Sequence, residues 1–400
     1  MTQKSMESDA ALQGEHTPDT SRFSRAFWLV SYAFFVTMFG TTTPAPLYVL
    51  YQERWHFSEG MITGIYAAYP LAVMAILLVL GRLSDQIGRR RVLLITMGCA
   101  ILSSLIFISA QSVAWLFVGR IISGFSAGLC TSTATAALNE LQPRKNLRYA
   151  AVVSTASNML GLGTGPVVAS VLAQFLPLPT ILPYLAHIVL LLPAVIGLWT
   201  LPETVRRTGQ SRWRPQSIGV PGDIRWIFVV ASVSVFCAYS LLSVFTSLAP
   251  DLVVSLLRIN NLVIGGLAVF IVFGFSALAQ LLLRQVPERT NMMIGLAFLV
   301  IGLALTTWSL YSQSIILFLL SAICGGLGQG LAYMGSAMLL NHVAPVDRRG
   351  EVNSGYFAVG YLGADLPVLG LGLISGSIGV PAATLDFSIG IGVLSVITLV

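Results

Sequence analysis

The sequence predicts an all-α membrane protein with twelve transmembrane helices in two pseudo-symmetric six-helix halves. Of its 400 residues, 56% are hydrophobic and only 10% are charged, whereas a soluble domain carries roughly 25% charged residues. Long apolar runs recur along the whole chain, and short patterns of the first half return in the second. So few charges could not cover a water-facing surface, which excludes an ordinary soluble enzyme, a nucleic-acid-binding protein and a disordered protein.

Twelve apolar runs are each about as long as a membrane-crossing helix, which needs roughly 20 residues. They lack the alternating apolar and polar positions of barrel strands, and only helices or closed barrels satisfy their backbone in lipid. The last run reaches Val400 without a polar tail, which is consistent with a natural chain that continues beyond it. The runs cover approximately residues 26–51, 60–81, 92–110, 113–138, 150–176, 181–201, 226–250, 262–283, 292–311, 314–340, 352–378 and 381–400.

The 22 lysines and arginines give the chain a formal net charge of +6, and they are unevenly distributed. If the N-terminus lies in the cytoplasm, most of them fall in the N-terminal tail and in the loops on that same side. Because basic residues collect on the cytoplasmic side, we expect a multi-pass protein of the cytoplasmic (inner) membrane with both termini inside. The chain then divides into a cytoplasmic tail at 1–24, a six-helix half at 25–201, a cytoplasmic central loop at 202–225 and a second six-helix half at 226–400.

The two halves carry an internal repeat. The segment Ala137–Pro143 in span four lines up with Leu339–Pro345 in span ten. The same alignment places Gly124 and Gly128 on Gly326 and Gly330. Internal duplication of this kind is typical of transporters, whose substrate site lies near the membrane midplane between the repeats.

The connection between spans two and three, Gly81–Leu93, contains the strongest local motif and reads GRLSDQIGRRRVL. Glycine permits a tight turn there, and an aspartate among arginines can pair with them. A loop that is basic only because it faces the cytoplasm would explain the arginines, but not the spacing G-x-L-S-D-x-x-G-R-R.

This motif resembles the 2–3 loop signature of the major facilitator superfamily, and the resemblance covers nearly the whole chain. It implies that Asp85 and Arg89 belong to a charge network that latches the cytoplasmic side in the outward-open state. The corresponding segment of the second half, Arg284–Thr290, keeps charge beyond its first arginine only at Glu288 and Arg289, which weakens the case for a second latch. The full gating motif consists of Gly81, Asp85, Gly88, Arg89 and Arg90.

Arg120 lies within span four, about seven residues from its outer end. A charge inside a span costs a few kcal/mol and therefore faces a cavity or a partner. The alternative is that its side chain extends back to the membrane surface, which the long aliphatic stem permits. The segment also resembles the span-four motif of the family, R-x-x-x-G, whose arginine is linked to proton transfer.

Span five contains the block Gly161–Pro166, in which small residues recur four positions apart. Such spacing lets helices pack backbone to backbone, and simple tight packing is one interpretation. The other is functional, since Gly161, Gly165 and Pro166 resemble the family's span-five signature of proton-coupled antiporters. The match is partial, because the signature expects paired glycines where this chain has Ala169 and Ser170.

Asp365 is the most informative acidic residue, because it lies in the middle of span eleven. A buried carboxylate is costly in its ionised form, so Asp365 could load and release a proton together with Arg120. Tyr361 and Ser354 share its helical face. The alternative is a structural acid that is hydrogen-bonded to a neighbouring helix.

Aromatic side chains in the second half are candidates for the wall of a central cavity, since aromatic walls suit amphipathic ligands. Helix-to-helix packing is an equally good interpretation of the same residues. The candidates are Tyr239, Phe245, Tyr333, Tyr356 and Tyr361.

The sequence as a whole predicts a secondary transporter that exports a small organic or amphipathic compound by proton-coupled antiport and alternating access. No phosphate-binding G-x-x-x-x-G-K-[ST] motif occurs, which excludes direct drive by ATP. The main alternative is a proton symporter that imports a small polar nutrient or organic acid, and a remote one is a polytopic membrane enzyme or sensor. We expect no catalytic site, cofactor, metal or nucleic acid, and we expect a monomer whose partners are its substrate, protons and the lipid bilayer.

Overall fold

The computed structural model describes residues 20–81, 83–142, 146–201, 203, 219–253, 261–345 and 348–399. The predicted tail at 1–24 lies largely outside the described residues, and so does most of the predicted central loop at 202–225. The first described helix begins at Thr20, and the helix after the loop begins at Arg225.

The prediction of an all-helical protein with twelve spans is confirmed. Twelve helices are long and apolar enough to cross a membrane, and no strand occurs among the described residues. The spans are Thr20–Thr42 with Tyr48–Trp55 (span 1), Glu59–Leu80 (2), Arg89–Ile108 (3), Val113–Leu141 (4), Leu147–Phe175 (5), Leu182–Trp199 (6), Arg225–Asp251 (7), Leu262–Leu282 (8), Glu288–Ser312 (9), Ile315–Val343 (10), Arg349–Ile378 (11) and Val380–Leu399 (12).

Span 1 is a broken helix. Its first part ends at Thr42, and a single 3-10 turn at Ala45–Leu47 leads into the short helix Tyr48–Trp55. Pro44 lies between the two parts, and proline cannot donate the backbone hydrogen bond that a continuous helix needs. The break interrupts the helix next to Thr41, whose carbonyl accepts a hydrogen bond from Arg120 of span 4. Irregular backbone inside a membrane bundle is tolerated where it lines a cavity.

Glycines on spans 4 and 10 let neighbouring helices approach at matching positions of the two halves. A methyl group at Gly124 would lie 2.6 Å from the carbonyl oxygen of Tyr69 in span 2. A methyl group at the repeat-related Gly326 would lie 2.5 Å from the carbonyl oxygen of Val272 in span 8. Small residues thus bring span 2 against span 4, and this contact positions Tyr69 next to Arg120.

The two halves meet closely at one end of the bundle. We call the end that carries the connections 81–89, 142–146, 283–287 and 344–348 the basic end, and the opposite end the far end. At the far end, Gly60 of span 2 lies against the backbone of Gly372 in span 11, and Gly266 of span 8 lies against the backbone of Pro166 in span 5. Deeper in the bundle, Thr246 of span 7 donates a hydrogen bond of 2.6 Å to the Tyr66 hydroxyl of span 2.

Exposed tryptophans mark two levels of the bundle surface. Trp199 and Trp226 lie at the basic end, where span 6 ends and span 7 begins, whereas Trp115 and Trp308 lie near the far end. Tryptophan is enriched at both interfaces between membrane and water. Together with the twelve apolar spans, these belts identify an integral multi-pass membrane protein.

Candidate functional site

A cavity of about 640 Å³ lies between the two halves. Side chains from spans 1, 2, 4 and 5 line one side, and side chains from spans 7, 8, 10 and 11 line the other. The lining extends to the basic end at Asn139 and Asn353, and towards the far end it stops near Ala45, Tyr66 and Thr246. The cavity therefore opens towards the basic end and is closed at the far end, as in an inward-facing transporter if the basic end is cytoplasmic.

Arg120 lies at the closed end of this cavity. The residue is 3% exposed, and Nη1 donates a hydrogen bond of 2.5 Å to the Thr41 carbonyl. The guanidinium carbon lies 4.5 Å from the centre of the Tyr69 ring and 5.4 Å from that of Tyr66. A guanidinium over aromatic faces is stabilised by cation–π attraction, most of all where water is excluded. The side chain therefore does not extend back to the membrane surface.

The Nε atom of Arg120 is buried and has no hydrogen-bond partner among the described residues. A buried donor without a partner carries a cost of about 1–3 kcal/mol, and more when the group is charged. Arg120 is the one charged side chain in the described cavity wall. The wall thus combines a single fixed positive charge with an unused donor.

Asp365 of span 11 is 1% exposed and lies behind the cavity wall, next to the lining residues Tyr361 and Ala364. Neither carboxylate oxygen has a hydrogen-bond partner within the described part of the chain. The alternative of a structural acid hydrogen-bonded to a neighbouring helix therefore finds no support among the described residues. Arg120 is the cationic group whose charge acts on this carboxylate. An ionised carboxylate without a partner is costly in such a site, so the geometry suits the neutral acid.

Three of the five predicted aromatic residues line the cavity: Tyr239, Tyr333 and Tyr361. Their rings contact one another, since Tyr239 lies 5.7 Å from Tyr361 and 6.0 Å from Tyr333 between ring centres.

The prediction was wrong for Phe245 and Tyr356, because both are packing residues. Phe245 stacks on Phe318 inside the second half, with ring centres 5.6 Å apart. The hydroxyl of Tyr356 lies 2.8 Å from that of Ser336 in span 10, so its polar end is satisfied within the half. Both rings face helices of their own half, and this facing cannot be read from helical periodicity alone.

Amide side chains add hydrogen-bonding groups to the second-half side of the cavity. The Ser276 hydroxyl donates to Oε1 of Gln329 at 2.5 Å and accepts from Nε2 of Gln280 at 3.1 Å. Both glutamines line the cavity. On the first-half side, Oδ1 of the lining residue Asn158 is buried without a partner among the described residues. The cavity therefore offers donors and acceptors as well as aromatic faces.

The predicted gating motif lies at the basic end and is tied to its own half. The Arg89 side chain is 11% exposed and contacts Asp85 at 2.5 Å and Glu140 of span 4 at 2.9 Å. The Arg89 backbone N–H donates to Glu203 at 2.8 Å. Asp85 and Glu140 belong to the first half, and Glu203 follows directly after its last helix, which is the arrangement expected when the basic end is open.

The other motif residues shape the turn at the start of span 3. Gly88 has φ of 101°, a conformation that favours glycine, and a side chain there would collide with the Glu203 carboxylate. Gly81 ends span 2 and borders the cavity, and Arg90 lies partly exposed in the first turn of span 3.

The span-five block forms a close helix contact. Gly161 and Gly165 lie against the backbone of span 1 at Phe35 and Phe39, where any side chain would collide. Pro166 lies inside a helix that continues from Leu147 to Phe175. Tight helix packing thus accounts for the contacts of these residues. Their link to antiport stays a prediction.

Sequence reasoning missed Tyr66 and Tyr69, the two rings around Arg120. They stand three positions apart on span 2, a spacing that places two side chains on one helical face. The spacing of the two tyrosines is visible in the sequence, but their contact with Arg120 on span 4 is not. Asn158, Gln280 and Gln329 were also missed, since single amides in apolar runs carry no spacing signal.

Several curated proteins resemble this chain at low identity. A class H tetracycline resistance protein from Pasteurella multocida is 26% identical over 285 residues, which cover 68% of this chain and 68% of that protein. A methylenomycin A resistance protein from Streptomyces coelicolor is 28% identical over 189 residues, 46% of this chain and 37% of that protein. A homologue of the multidrug resistance efflux pump PmrA from Lactococcus lactis is 32% identical over 121 residues, 30% of this chain and 29% of that protein.

The fold is similar to those of solved transporters. A crystal structure of the nucleoside transporter NupG matches with a TM-score of 0.73 at 14% identity, covering 94% of this chain and 99% of that one. The human organic anion transporter MFSD10 matches with a TM-score of 0.67 at 16% identity, with the same coverages. The sequence profile of the Major Facilitator Superfamily matches residues 30–365. The chain therefore belongs to the Major Facilitator Superfamily and is a transporter rather than an enzyme.

Proposed function

We propose that this protein exports a small amphipathic organic compound in exchange for protons. The observation that carries the proposal is the buried carboxyl group of Asp365, which has no hydrogen-bond partner among the described residues and lies beside a central cavity whose wall holds Arg120. An ionisable group inside a membrane bundle is costly and marks a site of ion or proton transfer. Asp365 can hold a proton as a neutral acid and release it when Arg120 stabilises the carboxylate.

The relatives support export as the direction. The tetracycline and methylenomycin resistance proteins and the efflux pump homologue are named for resistance or efflux. Their identities are low, so they indicate a class of activity and no particular compound.

Alternating access would proceed by rocking the two halves about the cavity. The basic end faces the cytoplasm in this proposal, since basic residues collect on that side. The cavity then loads from the cytoplasm. The far end opens when close contacts such as the Tyr66–Thr246 hydrogen bond separate, and Asp85 and Arg89 turn from their own half to latch the basic end.

Proteoliposomes test the proposal. Protein is reconstituted with an acidic lumen and a trapped pH-sensitive dye, and planar organic compounds of different charge are added outside. We expect one of them to make the lumen more alkaline with the native chain but not with Asp365→Asn. Asp386→Asn, which removes an exposed acid from span 12, is the matched control and should behave like the native chain. Equal alkalinisation by the native chain and Asp365→Asn would refute the role of Asp365 in exchange.

Proton-coupled import of an organic acid is a second candidate, and one observation favours it. The single charged side chain in the described cavity wall is the cation Arg120, which suits a carboxylate. An anion bound to Arg120 would leave Asp365 protonated, so that anion and proton would travel together. In the same proteoliposomes, this candidate predicts that an anionic compound moves protons in its own direction.

A further inference from the structure

The guanidinium of Arg120 occupies aromatic surface that also belongs to the cavity wall. Tyr66 and Tyr69 both line the cavity, and the guanidinium lies over both rings. A planar cation and a planar organic molecule use an aromatic face in the same way, through parallel contact with the ring. A substrate with a planar ring system would therefore compete with Arg120 for these two faces.

Asp365 is the alternative partner for a displaced guanidinium. Its two oxygens are buried and unpartnered within the described residues, and the Arg120 charge already reaches it. The other titratable groups that face Asp365 are Tyr66 from span 2 and Tyr361 on its own helix, and Tyr239 of span 7 lies against Tyr361. Asp386 of span 12 is exposed. Of these groups, only Arg120 can neutralise the carboxylate by a charge-assisted hydrogen bond.

We propose that an uncharged planar substrate replaces Arg120 on the faces of Tyr66 and Tyr69, and that the displaced guanidinium pairs with Asp365 and drives off its proton. This inference rests on the proposed proton exchange and names its substrate class and its switch. In the step, the carboxylic acid of Asp365 becomes a carboxylate, its proton passes to water in the open cavity, and no other bond changes. After the substrate leaves on the far side, Arg120 returns to the rings and Asp365 takes up a proton again.

The charge of the cavity wall determines the substrate class. A cation would be repelled by Arg120, which no acid in the described wall offsets. An anion would hold the guanidinium on the cavity side and leave Asp365 protonated, which gives no exchange. An uncharged planar molecule meets neither obstacle. A cavity of about 640 Å³ has the size of a small-molecule site. The Oδ1 atom of Asn158, which has no partner in the described part of the chain, can accept a hydrogen bond from the edge of the ring system.

Three fluorescent dyes with the same tricyclic frame test the substrate class on the purified full chain in lipid nanodiscs. They are acridone, which is uncharged, N-methylacridinium, a cation, and acridone N-acetate, an anion. We expect acridone to bind at least about tenfold more tightly than either charged dye. In weak buffer, its binding should release protons that an added pH indicator records, and acridone affinity should fall as the pH is lowered.

Variants separate the switch from a merely structural role. Arg120→Gln should bind acridone at least as tightly as the native chain, because the ring faces are vacant, but should release no protons. Asp365→Asn should bind acridone without proton release and without pH dependence.

Tyr69→Leu should weaken acridone binding about tenfold, whereas Tyr69→Phe, which keeps the ring face, should not. Tyr311→Leu changes an exposed ring outside the cavity wall and should still release protons on binding.

The inference is overturned if acridone fails to bind, if a charged dye binds more tightly, or if Arg120→Gln loses acridone binding while remaining folded by its melting temperature. These outcomes can be distinguished from a failure of the proposed export in exchange for protons. Proton exchange that depends on Asp365 but is driven by a charged dye would keep the export proposal and refute the planar, uncharged class. Tightest binding of the anion, with proton uptake, would support import by symport.

Discussion

In the first half, Arg89 at the start of span 3 is tied to Glu140 at the end of span 4, with 2.9 Å between nitrogen and oxygen. In the second half, the corresponding turns of spans 9 and 10 are tied by Glu288 and His342, 3.1 Å apart. The internal repeat places His342 on Glu140, so the acid of the pair lies on span 4 in the first half and on span 9 in the second. Both halves thus place a polar pair at this corner, with the order of the two partners exchanged.

The two pairs also differ in strength. Arg89 is largely buried and has further partners in Asp85 and Ser84, whereas the His342 side chain is 76% exposed. An exposed pair is screened by water and contributes little. The first half thus carries the stronger candidate for a gate. This agrees with the second-half segment Arg284–Thr290, which keeps little of the gating motif.

The glycines that bring helices together should give the largest difference in stability between the halves. A methyl group at Gly330 would lie 2.5 Å from the Ser276 carbonyl oxygen, whereas one at Gly128 would first meet the Ile76 side chain at 2.9 Å. Backbone cannot move aside as a side chain can, so Gly330→Ala should cost about 1–3 kcal/mol of unfolding free energy and Gly128→Ala less.

Unfolding of the purified variants in detergent measures both costs. Gly274→Ala, where a methyl group would meet no atom within 4 Å, is the neutral control. Equal losses for Gly128→Ala and Gly330→Ala would show that span 2 is held as rigidly as span 8.

Removal of Arg89 should come next in size and should affect transport more than stability. Arg89→Ala deletes the contacts to Asp85, Glu140 and Ser84. Because charge-assisted hydrogen bonds are worth about 1.5–3 kcal/mol, we expect transport to fall about tenfold. Arg284→Ala removes an exposed arginine from the matching loop of the second half and serves as the control. If both variants transport alike, Arg89 has no special role at the gate.

His187 supports a smaller prediction about the scaffold of the first half. Its Nε2 donates to the Val36 carbonyl at 3.1 Å, and Nδ1 therefore accepts from the Ser104 hydroxyl at 2.8 Å. His187→Ala should lower the unfolding free energy by about 1–3 kcal/mol and leave proton coupling intact, because the residue lies outside the cavity wall.

The ring of His187 also occupies the space beside Gly40, where a methyl group would collide with it. Gly40→Ala should therefore be more damaging in the native chain than in the His187→Ala background. Loss of coupling in His187→Ala would contradict a purely structural role.

The smallest effect is expected for His342. His342→Ala removes one exposed pair, so transport should stay within about twofold of the native rate. A loss as large as that of Arg89→Ala would mean that the second half carries a gate of equal weight. Uptake assays in the same proteoliposomes compare the two variants directly.

The fold was predictable because each of its determinants is local in sequence. Twenty apolar residues cross a membrane whatever their neighbours are, and the repeat revealed the two halves. Arg120 and Asp365 could be singled out for the same reason, since a charge in an apolar run needs an explanation without reference to contacts. The aromatic wall was harder, because Tyr239 and Phe245 lie on one helix and only the first faces the cavity.

The sequence by itself determined the membrane class, the twelve spans, the repeat and the two intramembrane charges, because hydrophobicity and charge act residue by residue. Only the tertiary structure decided that Arg120 lies over Tyr66 and Tyr69, that Asp365 has no hydrogen-bond partner in the described chain, and which end of the cavity is open. These features depend on how helices distant in sequence rotate and approach one another. Small residues and packing set that geometry jointly, and no single helix encodes it.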